Sequence, residues 1–247
     1  MTLDDLLTEL RTNVLRDVST AITPQAGDEL WSDTQLVLYL QDAESKFARD
    51  TLCLRDSTNA DVTQITLVAG QADYPLDKRV ISCNAAIYDG ELSLGRSSFG
   101  ARFGASGDLA PNQARHIPQA SGAPRIYYTD KSTNSIGFYP IPSAEQAGLV
   151  VQLHVTRRPL APLTTADMDA VPEIPEDFHL DLVEWAAYRA LRNHDADIDG
   201  DPNNISIVMA RANAHKKRFE DAITECKGAF KYLNTQHVEF GVNANWS

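Results

Sequence analysis

The sequence predicts an α+β protein with a four-helix bundle-like core, an inserted antiparallel β-domain and an extended C-terminal tail. Three observations predict it. Apolar residues recur at helical spacing in residues 1–58 and again in 173–233. Between them, in 59–172, the period drops to two and Gly and Pro punctuate it. Residues 234–247 keep Val238, Phe240, Val242 and Trp246 but show no period.

The first helix is expected over Leu3–Val18, with Leu3, Leu7, Leu10, Val14 and Val18 on one stripe. Ile22 to Gly27 breaks it. The second starts at WSDTQL, where Ser32 and Gln35 have capping-box spacing and Trp31 and Leu36 staple spacing. It buries Leu36, Leu40, Ala43 and Phe47 and is expected to reach about Leu54. Strand alternation then joins Thr63, Ile65, Leu67 and Ala69, and next Ile81, Cys83, Ala85 and Ile87. Asp89-Gly90 suits a two-residue hairpin turn. Further strands are expected at Arg125–Thr129, Ser135–Tyr139 and Leu149–Arg157. The Gly- and Ser-rich loop 95–123 reads as an excursion, flexible or ordered by a partner. Helix resumes after Pro175, with Phe178, Leu182 and Trp185 on one face and Val183, Ala187 and Ala190 on another. The last helix, about Ile205–Leu233, has an apolar stripe around a polar middle, His215 to Arg218, expected to be exposed.

Composition excludes several function classes. The net charge of −12 opposes a nucleic-acid clamp, which needs clustered Lys and Arg. No apolar run has the roughly 20 residues of a membrane helix. The acidic, amphipathic MTLDDLLTELR does not read as a secretory signal. Cys53, Cys83 and Cys226 are widely spaced, with no CxxC pair, and read as isolated thiols in a reducing compartment.

One stretch carries a metal-site pattern. In HDADIDGDPNN, Asp195, Asp197, Asp199 and Gly200 match positions one, three, five and six of a calcium loop. Position twelve, which should be a bidentate glutamate, is Ser206, and position eight is Pro202. The loop therefore reads as an acidic turn, with Asp195, Asp197 and Asp199 a weak metal candidate. Phosphate-loop, HExxH, GxSxG and dinucleotide fingerprints are absent. The six histidines lack metal-ligand spacing; His154 and His179 read as surface or hydrogen-bonded residues. Acid pairs such as Asp4/Asp5 and Asp167/Asp169 read as solvated surface, and the aromatic stripes as core. No enzyme and no cofactor is expected.

Several segments together resemble head-to-tail adaptor proteins of tailed bacteriophages, of the tail tubular protein A or short-tailed phage adaptor type. They are WSDTQLVLYLQDAESKFARDTL, ITLVAGQADYPL, GAPRIYYTD with IGFYPIP, and above all VPEIPEDFHLDLVEWAAYRALRNHDAD. The resemblance covers about residues 28–233 and is strongest over Pro172–Asp197, where Phe178, Leu182, Trp185 and Tyr188 form the core of the family-like helix. It implies a virion neck protein, made in the host bacterial cytoplasm, that assembles with itself as a ring, typically a dodecamer. Its implied partners are the portal protein above and tail nozzle, fibre or tail-tube proteins below. Double-stranded DNA would pass through without specific binding, and no membrane is involved. The tail would dock on the portal through Val238, Phe240, Val242 and Trp246.

Two other readings stand beside it. One is a monomeric carbohydrate- or calcium-binding module, using the β-domain and the Asp195–Asp201 loop. The other is a head-completion or tail-terminator protein of a long-tailed phage.

Overall fold

A computed structural model describes residues 1–17, 30–100, 120–194 and 202–236. Val18, the Ile22–Gly27 break, most of loop 95–123, the Asp195–Asp201 turn and the tail from His237 lie outside the described residues. The α+β class expected from the sequence is the class observed. The chain divides into two compact units, Met1–Leu54 with Pro159–Ser247, and Arg55–Arg158.

In the helical unit, α1 (Leu3–Glu9) begins with a capping box: the Asp5 N–H donates to Thr2 Oγ1 and the Thr2 N–H to the Asp5 carboxylate. A π-helical turn, Leu10–Leu15, continues it and ends at Arg16 in the left-handed region. The expected single helix to Val18 is thus cut short, for a tertiary reason. Arg11 donates to Asp17, Asp33 and the Trp31 carbonyl, at 2.7–2.9 Å. Asp17 in turn accepts the Leu30 and Trp31 N–H groups, fastening the chain where it leaves and re-enters.

Helix α2 (Asp33–Thr51) starts where expected, with Ser32 accepting the Gln35 N–H at 3.3 Å. Gln35 does not close the box; its side chain donates to the Tyr39 hydroxyl instead. The helix stops at Leu52, which is left-handed, rather than at Leu54. The short α3 (Ala60–Thr63) belongs to the β unit. Pro175 caps a 3-10 turn, Glu176–Phe178, that leads into α4 (His179–His194). Helix α5 spans Pro202–Gln236, longer than expected at both ends, so Asn234–Gln236 are helix and not tail.

Side-chain pairs set the helix directions. Tyr39 meets Asn193, Asp42 meets Arg189 and Phe47 meets Phe178, so α2 and α4 run antiparallel. Tyr188 meets Lys216 and Trp185 meets Phe219, so α5 runs antiparallel to α4 and parallel to α2. Leu36, Leu40, Ala43 and Phe47 are fully buried in this core, as are Leu182, Ala187, Ala190, Phe219 and Cys226. His215, expected in an exposed middle, is buried instead. It continues the α5 stripe between Ala212 and Phe219, and its Nδ1 lies 2.6 Å from Glu184 Oε2.

The β unit holds two sheets. The first runs β1 (Arg55–Asp56), β9 (Val150–Arg157), β4 (Val80–Tyr88), β5 (Leu92–Ser93), with β2 (Gln64–Thr66) also paired to β9. All its pairings are antiparallel. The second runs β3 (Asp73–Pro75), β8 (Ser135–Tyr139), β7 (Ile126–Tyr128), β6 (Gly95–Arg96). One strand pair departs from the expected antiparallel arrangement: β6 and β7 are parallel, Gly95 opposite Ile126. Parallel neighbours need a long crossover, and the segment read as an excursion supplies it. The start of that segment is fastened, because Asp130 accepts from the Ser98 hydroxyl and the Phe99 N–H.

Val151, Leu153 and Val155 are buried as their alternation predicts. In β4 the alternation breaks. The register shifts between Cys83 and Ala85, so Cys83 and then Ala86 face inward, not Cys83, Ala85 and Ile87. A bulge inserts one residue and reverses the facing of the residues beyond it. At the hairpin, Asp89 and Gly90 both have positive φ and the Glu91 N–H closes on the Tyr88 carbonyl, as in a type I′ turn.

Gly137 sits where the Tyr128 ring crosses β8; a Cβ there would lie 2.1 Å from the ring. The ring is buried and its hydroxyl donates to Asp73 at 3.2 Å, so it has little room to yield. Gly137→Ala is expected to destabilise by about 2 kcal/mol in urea denaturation, the usual scale of overpacking.

Candidate functional site

The segment Pro172–His194 places four aromatic and apolar residues against the helical core. The Phe178 ring is 5.3 Å from Phe47, and Leu182 is fully buried. Trp185 lies 5.2 Å from Phe219 and 5.1 Å from Tyr188. Leu182 and Tyr188 are buried, while Phe178 and Trp185 are half-buried.

The half-exposure of Trp185 opens onto a polar seam along α2 and α4. The Trp185 Nε1–H and an Arg189 N–H both donate to Asp42 Oδ2, each at 2.8 Å. The Arg189 guanidinium lies over the Tyr39 ring at 5.6 Å, and the Tyr39 hydroxyl accepts from Asn193 at 2.6 Å. Lys46 stands 5.1 Å above the Trp185 ring and pairs with Asp50 at 2.5 Å. Arg192 donates to the Tyr188 hydroxyl at 2.6 Å. Lys46 and Arg189 are thus each neutralised by a carboxylate, leaving aromatic faces and fixed hydrogen bonds. Such a surface suits contact with protein, where aromatic and Arg side chains dominate, better than contact with phosphate.

The titrating groups of this unit sit within the helix packing. Burial, and secondarily the Glu173 carboxylate, push Glu44 up to about 7, although it accepts the Glu173 N–H at 2.7 Å. Burial pushes Asp181 up to about 6, helped by Glu184 and Glu225. For Glu184 burial pulls upward, but the His215 hydrogen bond and Arg218 outweigh it and hold the carboxyl below its ordinary range. Glu44 is only 2% exposed, so no substrate reaches it. Among the described residues no three His, Cys, Asp or Glu side chains cluster as a metal site.

Apolar side chains also remain uncovered. Leu38, Val171, Leu180 and Ile207 are each more than half exposed on the helical unit, as is Val68 on the β unit. Beside Leu38 a shallow groove of about 200 Å³ is lined by Val37, Gln41 and Leu163.

Of the residues singled out from the sequence, Phe178, Leu182, Trp185 and Tyr188 come together in the core. His179 is buried, with Nε2 3.0 Å from the Ile174 carbonyl, and His154 is exposed. Val238, Phe240, Val242 and Trp246 lie outside the described residues, as do Asp195, Asp197 and Asp199. Sequence reasoning missed Tyr39, Asp42 and Arg189, and no local signal marks them, because Asp42 meets partners 143 and 147 positions away.

No curated protein matches the chain. The family model described as SU10 adaptor protein matches residues 1–237, and the chain therefore belongs to the SU10 adaptor protein family, whose members are phage adaptors with a structural role.

Proposed function

We propose that the protein is a non-catalytic component of the virion neck, forming a ring of identical copies that seats on the portal and receives tail proteins below. The family match over residues 1–237 carries this reading. Three features support it. The uncovered Leu38, Val171, Leu180 and Ile207 suit a chain whose neighbours cover them. The neutralised aromatic seam of Trp185 and Arg189 suits protein contact. The net charge of −12 suits a channel wall past which DNA slides without adhering. A dodecamer is the ring size proposed, with nozzle, fibre or tail-tube proteins as the lower partners.

The family match ends at residue 237, so docking by the tail rests on the tail's own residues. Val238, Phe240, Val242 and Trp246 are proposed as portal anchors, being the large apolar side chains of the segment. Removing residues 237–247 leaves α5 whole to Gln236 and is expected to weaken portal attachment at least about ten-fold, the effect of losing one modest hot spot. Light scattering and electron microscopy of portal mixed with full-length or truncated protein measure this. Equal attachment by both would remove the tail from the mechanism, and no ring on the portal from either would sink the whole reading.

A further inference from the structure

We propose that Glu44 is a pH-sensitive latch on residues 159–174, the segment by which the chain re-enters the helical unit, closed while the carboxyl is protonated and loosened once it ionises. The segment has no helix or strand of its own, so side chains and single hydrogen bonds must hold it. Leu163 and Ile174 are buried in the helical core. The Ala170 and Met168 carbonyls accept the Leu3 and Asp4 N–H groups of α1 at 2.8 and 3.0 Å. Towards α2 the fastening runs in series. The Leu160 N–H donates to the Glu173 carboxylate, and the Glu173 N–H donates to Glu44 Oε1 at 2.7 Å. One side chain of α2 thus anchors a relay that reaches both residue 173 and residue 160.

The position of that acceptor makes the fastening switchable. Glu44 is 2% exposed, and among the described residues no Lys or Arg pairs with it. Its charged neighbour is the Glu173 carboxylate, from the segment itself. The Cys53 thiol, just past α2, also feels Glu44, but burial keeps that thiol neutral. No charged group of α4 or α5 among the described residues offsets the field. A buried carboxylate without a cation is costly, so the proton is held more tightly in the closed state than in water. Once ionised, Glu44 regains water by losing the backbone that lies against it. The open state titrates near the ordinary 4.5 and the closed state near 7, burial being the larger cause and Glu173 the second. Opening therefore rises with pH across that interval and levels off above it, growing roughly 70-fold between about pH 5 and 8.

The test is amide hydrogen exchange of the full-length protein, corrected for intrinsic rates and read by mass spectrometry on peptides covering 159–174, α1 and α4. Protection in 159–174 and at the start of α1 is expected to fall roughly 70-fold from about pH 5 to 8. At each pH the segment should exchange faster than α4, which marks local opening rather than global unfolding. Glu44→Gln keeps an oxygen for the Glu173 N–H and cannot ionise, so its protection should stay level within about three-fold over the same range. Glu173→Gln removes the second cause of the raised pKa and should move the midpoint of the transition towards acid. A segment as protected as α4 at every pH would overturn the proposal. So would an unchanged pH dependence in Glu44→Gln, or an unmoved midpoint in Glu173→Gln. None of these outcomes depends on whether the protein docks on a portal.

Discussion

Phe219→Ala is expected to destabilise the helical unit by about 3–5 kcal/mol, the scale of emptying a buried aromatic site. Phe219 is fully buried, with Phe47 at 5.9 Å and Trp185 at 5.2 Å; Phe47 in turn meets Phe178 at 5.3 Å. The four rings come from α2, the turn before α4, α4 itself and α5, and the truncation leaves Phe47 on α2 and Trp185 on α4 facing a void. Whole domains are stable by only about 5–15 kcal/mol, so this loss is a large share. Urea denaturation followed by far-ultraviolet circular dichroism and by tryptophan fluorescence measures it. Ile207→Ala, at a site 66% exposed, serves as the control and should stay within about 0.5 kcal/mol. A loss below about 1 kcal/mol at Phe219, well under the usual cost of such a truncation, would mean that the aromatic cluster does not hold the helices together.

Glu44→Gln is expected to stabilise the protein above pH 7 and to change nothing in acid. Burial, with Glu173 nearby, raises the folded-state pKa of Glu44 from the ordinary 4.5 to about 7. The folded protein therefore holds this proton more tightly than the unfolded chain does. The group favours folding fully below about pH 4, and that advantage disappears as pH rises through 7. The span of roughly 2.5 pH units corresponds to about 3 kcal/mol. Glutamine is neutral at every pH and keeps an oxygen for the Glu173 N–H, which now meets Glu44 at 2.7 Å. Stability of both proteins from urea midpoints at about pH 4.5, 6 and 8, which bracket the titration, tests this. The variant should pull ahead progressively, and parallel curves would show that Glu44 titrates normally in the folded state.

Some elements were legible because local physics decides them. Ser32 followed by the apolar positions Leu36, Leu40, Ala43 and Phe47 marked both the start of α2 and its buried face. The alternation Val151, Leu153, Val155 showed which side of β9 meets the core. Asp89-Gly90 announced its turn. Elsewhere a local reading failed wherever a distant group intervened. Helix one stopped early because Arg11 and Asp17 serve residues 30–33. His215 reads as polar and exposed among lysines, yet Glu184 on another helix satisfies it inside the core. The polar seam was equally hidden, since Asp42 becomes a shared acceptor only when α4 lies against α2.

The sequence alone determined the α+β class, the order of helices and strands, the buried faces of α2, α4 and β9, and the likeness to phage adaptors. Periodicity, capping and turn chemistry are short-range, so a window of roughly ten or twenty residues contains their cause. Only the tertiary structure decided the parallel β6–β7 pair, the bulge in β4, the raised pKa of Glu44 and the burial of His215 against Glu184. Each depends on desolvation or contact between residues far apart in the chain, and that proximity exists only after the helices and strands have packed.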